Sequence, residues 1–313
     1  MPALRLFSGD ANLPLAEEVA EILHIPLGKL RITHLPDSEI HVQIEECVRG
    51  VDIFILQSCS QPVNENTMEL FLLVDAFRRA SAASITTVVP YFPYTRQERM
   101  ARGREAISAR VVSTILEALG VNRVIYVDVH SPAIQGFFQI PVDPLSAVPT
   151  LAEYFQDDDR FQNAAIVAPD TGRAKLAAKY AEILDLPLVV MEKRREGSQV
   201  RVTHIVGDIR DRVPIVIDDV IASGSVLDEI PALLEAGARP EVYLSITHPV
   251  LVGQSLEKLQ NPVIRELVVS NTIYVPPEKR LDKLRIISIA PLLAEVIQRI
   301  HDGRTISPLL RLV

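Results

Sequence analysis

Short apolar runs alternate with amphipathic stretches along most of this chain, and that alternation leaves few folds open. Residues 51–57 read as a strand. Residues 66–80 read as a helix carrying Met68, Leu70, Phe71, Leu72, Val74 and Phe77. Residues 85–90 are the next strand, 109–119 the next helix with Gly120 placed to end it, and 123–128 another strand. Uninterrupted apolar strands joined by crossover helices require a mostly parallel sheet covered on both faces, here one half of a doubly wound α/β arrangement. The second half repeats the plan. A strand over 164–168 ends in Pro169-Asp170, a helix spans 174–184 and a strand 188–191. The alternating segment 200–206 suits a flap or hairpin strand. A strand over 215–217 leads into a helix reaching Ala236 and stopped by Gly237, then a strand over 242–246 and a last helix from about 291 to 301. Pro231 is tolerated only in a first turn, so the regular helix is expected to begin near Asp228 or to kink. The prolines of 141–149 mark a junction between a domain of residues 1–145 and one of 146–313, whose last residues are expected to pack back on the first.

Length and composition narrow the function. At 313 residues and 48% hydrophobic content the chain can bury two cores. No run of about 18 apolar residues predicts a membrane span, and the first residues carry no apolar signal segment. Two cysteines, Cys47 and Cys59, suit a reducing compartment, so a cytoplasmic location is expected. A net charge of −8 argues against a general nucleic-acid binder but leaves room for an anionic small substrate held by local basic clusters.

The strongest chemical signal is the strand ending in Asp218-Asp219 and followed by Ala222-Ser223-Gly224-Ser225. A strand that delivers two carboxylates to its C-terminal edge places them where open α/β sheets bind ligands. A small-residue loop lets backbone N–H groups approach an anion. Carboxylates for hydroxyls beside amides for a phosphate suggest a sugar phosphate; a solvated acidic turn is the other reading. Lys193-Arg194-Arg195 follows a strand and can neutralise a phosphate chain from a mobile loop, or is a solvated basic turn. Strand alternation puts Asp128 and His130 on one face, where His130 suits a metal, a phosphate or a structural role. Arginines 96, 99, 102 and 104 follow an aromatic-proline turn and suit nucleotide phosphates, or form a surface run. Pro36-Asp37-Ser38-Glu39 is a short acidic turn that says little alone.

Taken together these segments resemble the ribose-phosphate pyrophosphokinase, or phosphoribosyl pyrophosphate (PRPP) synthetase, family. The similarity runs through Ser8-Gly9, the turn at Asp37-Ser38-Glu39, Val48-Arg49-Gly50, Pro62-Val63-Asn64, Met68-Glu69-Leu70, the Pro90 to Gln97 stretch, Asp128-Val129-His130, Gln135 to Phe138, Lys193 to Arg195, Asp218-Asp219, Asn271 to Ile273 and Ala290 to Glu295. The resemblance implies two phosphoribosyltransferase-like α/β domains with mostly parallel sheets flanked by helices. It implies transfer of a diphosphoryl group from ATP to O1 of ribose 5-phosphate with Mg2+, and a homo-oligomer of dimers assembling to a hexamer. It assigns ATP to Asp37, Ser38, Glu39, Arg96 and Gln97, and Mg2+ to His130 and Asp170. Lys193 and Arg195 become catalytic. Ribose 5-phosphate falls to Arg195, Asp218, Asp219, Ser223, Gly224, Ser225, Val226 and Leu227. The chain departs from the family pattern at Leu35, where an aromatic residue is usual, at Met100, and in the loop at Ala222 and Ser225-Val226. There the Ser225 Cβ is expected to restrict the backbone, and Val226 lacks a hydroxyl that is worth about 1.5–3 kcal/mol toward a charged group. Those departures raise one alternative, a non-catalytic subunit associated with an active synthetase; the Asp218-Asp219 loop, shared with phosphoribosyltransferases, raises another, a phosphoribosyltransferase that consumes PRPP.

Overall fold

The structure is a computed structural model that describes residues 2–196 and 199–310, with the backbone alone for 194–196 and 199–202. Strand β1 (Leu4–Ser8) opens a five-stranded sheet, and an antiparallel ribbon of β2 (Leu30–His34) and β3 (Ile40–Ile44) stands apart from it. Strands β4 (Asp52–Leu56), β5 (Ser84–Val89), β6 (Arg123–Val127) and β7 (Val142–Leu145) complete that sheet in the order β1-β4-β5-β6-β7, every neighbour parallel. The prolines of 141–149 therefore fall less in a linker than in an edge strand and the short helix Val148–Ala152. Pro144 is accommodated because an edge strand has one unpaired side.

A seven-stranded sheet holds β8 (Ala164–Ala168), β9 (Leu188–Glu196), β10 (Gln199–Val206), β11 (Val213–Ile221), β12 (Val242–Pro249), β13 (Ile264–Ser270) and β14 (Leu284–Ile287). Its order is β10-β9-β8-β11-β12-β13-β14, antiparallel only at β9–β10. From β8 the chain steps outward through the helix Ala174–Leu184 to β9, whereas from β11 it steps the other way through Ile230–Glu235 and Ser255–Leu259. Ala177 and Tyr180 of the first connection pack on one face of the sheet, and Ile230, Leu233 and Leu259 of the others on the opposite face. The strand order thus reverses between β8 and β11, which opens a crevice at their C-terminal ends, the place where such sheets take ligands.

On one face of the first sheet the helices Val63–Arg79 and Ser108–Leu119 bury Leu70, Leu73, Val74, Phe77, Val112 and Leu116. Gly120 ends the second of these in the left-handed region, φ 96°, as its position in the sequence predicts. The other face is covered by helix Leu13–Ile22 and by the last helix, Ala290–His301, whose Leu293, Ala294 and Ile297 share one core with Leu6, Leu15 and Val19. Pro231 does fall in a first turn, because the regular helix starts at Ile230 after a 3-10 segment, Ser225–Glu229.

Candidate active site

Pairing between β8 and β11 stops at Val167 and Val216, while β11 continues beside β12 to Ile221. Asp218 and Asp219 therefore emerge where β11 has lost its neighbour on one side. The Asp219 N–H donates to Asp218 Oδ1 at 2.8 Å. The guanidinium of Arg173, itself 14% exposed, lies between the two acids, with Nε 3.0 Å from Asp218 Oδ1 and Nη2 3.1 Å from Asp219 Oδ1. The second contact lacks hydrogen-bond alignment, so Asp219 Oδ1 is buried beside a cation without a directed donor. His130, carried from the end of β6, places Nδ1 2.9 Å from Asp219 Oδ2 and 2.5 Å from Arg173 Nη2. One ring nitrogen cannot donate to a carboxylate and accept from a guanidinium at once; with its proton on Nδ1, His130 donates to Asp219.

Two carboxylates this close cannot both ionise freely. Burial, then the charge of Asp219, hold the Asp218 carboxyl well above its ordinary value. Burial also pushes Asp219 up, but the His130 hydrogen bond and the Arg173 charge outweigh it and leave Asp219 well below the usual carboxylate range. The two acids therefore differ: Asp219 stays an ionised acceptor, while Asp218 holds a proton more tightly than an ordinary carboxyl.

Asp170 follows β8 and caps the segment Thr171–Arg173, accepting the Arg173 N–H at 3.1 Å. Lys193 sits in β9 opposite Val202, inside a hairpin rather than in the turn expected for Lys193-Arg194-Arg195; the polar residues continue the ladder with β10. Its ammonium contacts Glu229 Oε1 closely and lies 3.6 Å from Asp170 Oδ2. The side chain of Arg195 lies outside the described residues. Burial raises Glu229 to about 7 although the Lys193 hydrogen bond and charge pull the other way, and Glu229 Oε2 has no hydrogen-bond partner among the described residues.

In the loop after β11 the left-handed residue is Gly224, φ 79°, and a Cβ there would lie 3.1 Å from Ser255 Cα. Ser225 starts the 3-10 segment, so its Cβ does not carry the restraint expected of it. Val226 and Leu227 are buried in the second sheet's outer core and can face a ligand only through their backbone, whereas Ser223 and Ser225 are exposed. The missing hydroxyl at Val226 is thus a matter of packing.

Arg96 and Gln97 are exposed in the loop after β5, with Gln97 Oε1 accepting from Ser108 Oγ at 2.7 Å. Tyr91, in the same loop, is raised by burial, lowered by Arg96 and raised by Asp219, so its hydroxyl feels both the basic loop and the acid pair. Its ring meets the edge of His248 at 5.0 Å. Asp37, Ser38 and Glu39 form the exposed tip of the β2–β3 ribbon, where the Glu39 N–H donates to Asp37 Oδ1 at 3.2 Å, and no bond links them to Arg96 or Gln97. Leu35 and Met100 are exposed as well.

Asp128 does not share a face with His130. The strand ends at Val127, Asp128 turns at φ 37°, and its carboxylate accepts from Ser146 Oγ, the Ala147 N–H and Thr247 Oγ1, which ties the two sheets together. Sequence reasoning missed three residues of the site: Arg173, Glu229 and Tyr91. Two carried a signal. Asp170-Thr171-Gly172-Arg173 has a capping pattern, and Glu229 interrupts the apolar face of Val226, Ile230 and Leu233.

The model for the N-terminal domain of ribose phosphate pyrophosphokinase matches residues 4–120, and that for the phosphoribosyl synthetase-associated domain matches residues 194–311. The chain is 44% identical over 308 residues to the ribose-phosphate pyrophosphokinase of Bacillus caldolyticus, covering 98% of this chain and 97% of the relative. It is 45% identical to that of Bacillus subtilis (strain 168), covering 97% and 96%. The crystal structure of phosphoribosylpyrophosphate synthetase from Mycobacterium smegmatis superposes with a TM-score of 0.90 at 36% identity, over 96% of this chain and 99% of that one.

Proposed function

The chain belongs to the ribose-phosphate pyrophosphokinase family and is an enzyme of that kind, and from that premise we propose that it transfers the diphosphoryl group of ATP to O1 of ribose 5-phosphate, giving PRPP and AMP. One observation supports the reading most. His130 from the first sheet and Asp170, Lys193, Asp218 and Asp219 from the second gather around Arg173 at the crevice where the strand order reverses. In this reading the 5-phosphate rests on the turn from Ser223 to Leu227, and Asp219 accepts from the ribose hydroxyls. The triphosphate reaches in from Arg96 and Gln97, with Asp37, Ser38 and Glu39 on the nucleoside.

The reaction forms a bond from O1 to the β-phosphorus and breaks the bond from that phosphorus to the α,β-bridging oxygen. The protein's share is positioning and charge stabilisation. Lys193, with Arg195, meets charge on the transferred group and on the departing AMP. Lys193 must first leave Glu229 and Asp170. A Glu229 held at about 7 is half protonated near neutrality, which weakens that hold. Mg2+ when bound neutralises phosphate oxygens. Asp170 and His130 fit it: Asp170 is 43% exposed with a long 3.6 Å contact to Lys193, and Asp219 engages His130 Nδ1, so that Nε2, 3.4 Å from Arg173 Nη2, is the nitrogen that would turn to the ion. A Mg2+ completed by phosphate and water needs few protein ligands. A cytoplasmic homo-oligomer, dimers building a hexamer, goes with this proposal; no helix among the described residues is long and apolar enough to cross a membrane.

Phosphorus NMR of the full chain with Mg-ATP and ribose 5-phosphate tests the reading, with AMP and PRPP signals expected. If neither forms, the enzymatic reading is lost under those conditions, and co-purification with an active homologue would favour the associated, non-catalytic subunit.

A further inference from the structure

A second set of metal-ligating side chains lies outside the site described above. Glu69, in the helix Val63–Arg79, is 1% exposed. It accepts the Asp10 N–H at 2.8 Å and Gln57 Nε2 at 2.7 Å, both on Oε1. Both donors are neutral, and among the described residues no lysine or arginine pairs with it. Burial accordingly raises its carboxyl above the ordinary value, and the Asp10 charge adds to this. Gly9 makes the burial possible, since a Cβ there would collide with Glu69 Oε1 and Gln57 Oε1. Beside Glu69 stand two exposed groups, Asp10 after β1 and His34 at the end of β2. One ligand atom from each of Asp10, His34 and Glu69 lies within 4.8 Å of the other two.

A buried carboxylate without a lysine or arginine partner, facing an imidazole and a second carboxylate, is a group whose charge a bound cation would balance. Its neighbours are mixed N and O donors of the kind that hold first-row divalent ions. Separations up to 4.8 Å are wider than a bound ion requires, but the two outer ligands are exposed and can close on it, while Glu69 stays fixed by its hydrogen bonds. We propose that Asp10, His34 and Glu69 bind a first-row divalent cation, with Zn2+ the best matched. The ion would join three segments: the loop after β1, the helix Val63–Arg79 and the turn end of the β2–β3 ribbon. His34 is three residues before Asp37, so binding would steady the tip that carries Asp37, Ser38 and Glu39.

The test is a titration of the tag-free, metal-stripped full chain with Zn2+ against a chromophoric chelator, without nucleotide or sugar phosphate. The wild type should hold one ion per chain with a micromolar or tighter Kd. His34→Ala and Asp10→Ala, both at exposed positions, should weaken that ion by more than about tenfold while the far-UV circular dichroism stays unchanged. Zn2+ should raise the Tm of the wild type and leave that of the variants unmoved. Anomalous scattering at the zinc edge should place the ion among the three side chains. Equal retention by wild type and both variants, no retention by the wild type, or an anomalous peak at His130 instead would each overturn the proposal.

Discussion

Glu229 is 8% exposed, with Lys193 against one carboxylate oxygen and no hydrogen bond on the other. In the unfolded chain this carboxyl ionises near 4.5, in the folded chain at about 7. Between those values the native state holds a proton that the unfolded state has released. The contribution of Glu229 to stability is therefore greatest below about 4.5 and is lost as pH rises through about 7. The whole effect is on the order of 3 kcal/mol, at roughly 1.4 kcal/mol per tenfold in proton affinity. Glu229→Gln should remove that slope: the gap between variant and wild-type unfolding free energies, from urea melts, should widen in the variant's favour between pH 5 and pH 8. Parallel curves would show that Glu229 is not the titrating group. Gly224→Ala should cost about 1–2 kcal/mol for its left-handed backbone, and should raise KM for ribose 5-phosphate more than it lowers kcat; an unchanged KM would separate this turn from the sugar phosphate. The sequence revealed acids and cations that are adjacent along the chain, such as Asp218-Asp219. It hid Tyr91, and marked Arg173 only as part of a capping pattern, because their roles come from elements that meet only after folding. Val226 misled in the opposite direction, since a position in a ligand loop can still point into a core.

At the scale of elements, apolar periodicity located many strands and helices but not β7, β13, β14 or the helices Leu13–Ile22 and Ser255–Leu259, and it marked only the buried part of β9 and β11. β9 was legible to Met191 and runs to Glu196. β11 was legible from Ile215 to Ile217 and runs from Val213 to Ile221. Polar residues extend a strand wherever a neighbour continues the ladder, and that neighbour is invisible to a local pattern. Lys193, Asp218 and Asp219 lie in these extensions, past the apolar run, which is why Lys193 looked like part of a turn. The short segment Thr171–Arg173 holds Arg173 between the acids, and its order depends on Asp170 as cap. Asp170→Ala should cost about 1 kcal/mol of stability, and Asp170→Asn, which can still accept the Arg173 N–H, should recover most of that loss. Both variants should lose activity, because neither carries the charge beside Lys193. Thermal melts and turnover measured together check this; an Asn variant with full activity would remove the Asp170 charge from the chemistry.

At the scale of the molecule, the two sheets do not have separate cores. Leu6, Phe54, Val88 and Ile125 of the first sheet share a cluster with Ile166, Ile215 and Val268 of the second, and with Leu293, Val296 and Ile297 of the last helix. His301 Nδ1, 2.8 Å from Asp52 Oδ2, fastens that helix to the first sheet, and His248 Nε2 donates to the Asp128 carbonyl at 3.1 Å from the other side. Burial holds His248 below its ordinary value, so it stays neutral, donating through Nε2 and accepting from Thr272 Oγ1 through Nδ1 at 2.9 Å. A fragment of residues 1–145 would expose the apolar face that helix Leu13–Ile22 and the sheet present to Ala290–His301. A fragment of 146–313 would carry that helix without its partners Leu6, Leu15 and Val19. Neither fragment is therefore expected to fold alone: each should bind ANS, lack near-UV circular dichroism and melt without a cooperative transition, while the two co-expressed should recover the native spectrum. A fragment of 1–145 that unfolds cooperatively would show that the shared cluster is an interface between two independent cores, and would move the coupling between the two halves from a common core to polar ties such as those at Asp128, His130 and His301.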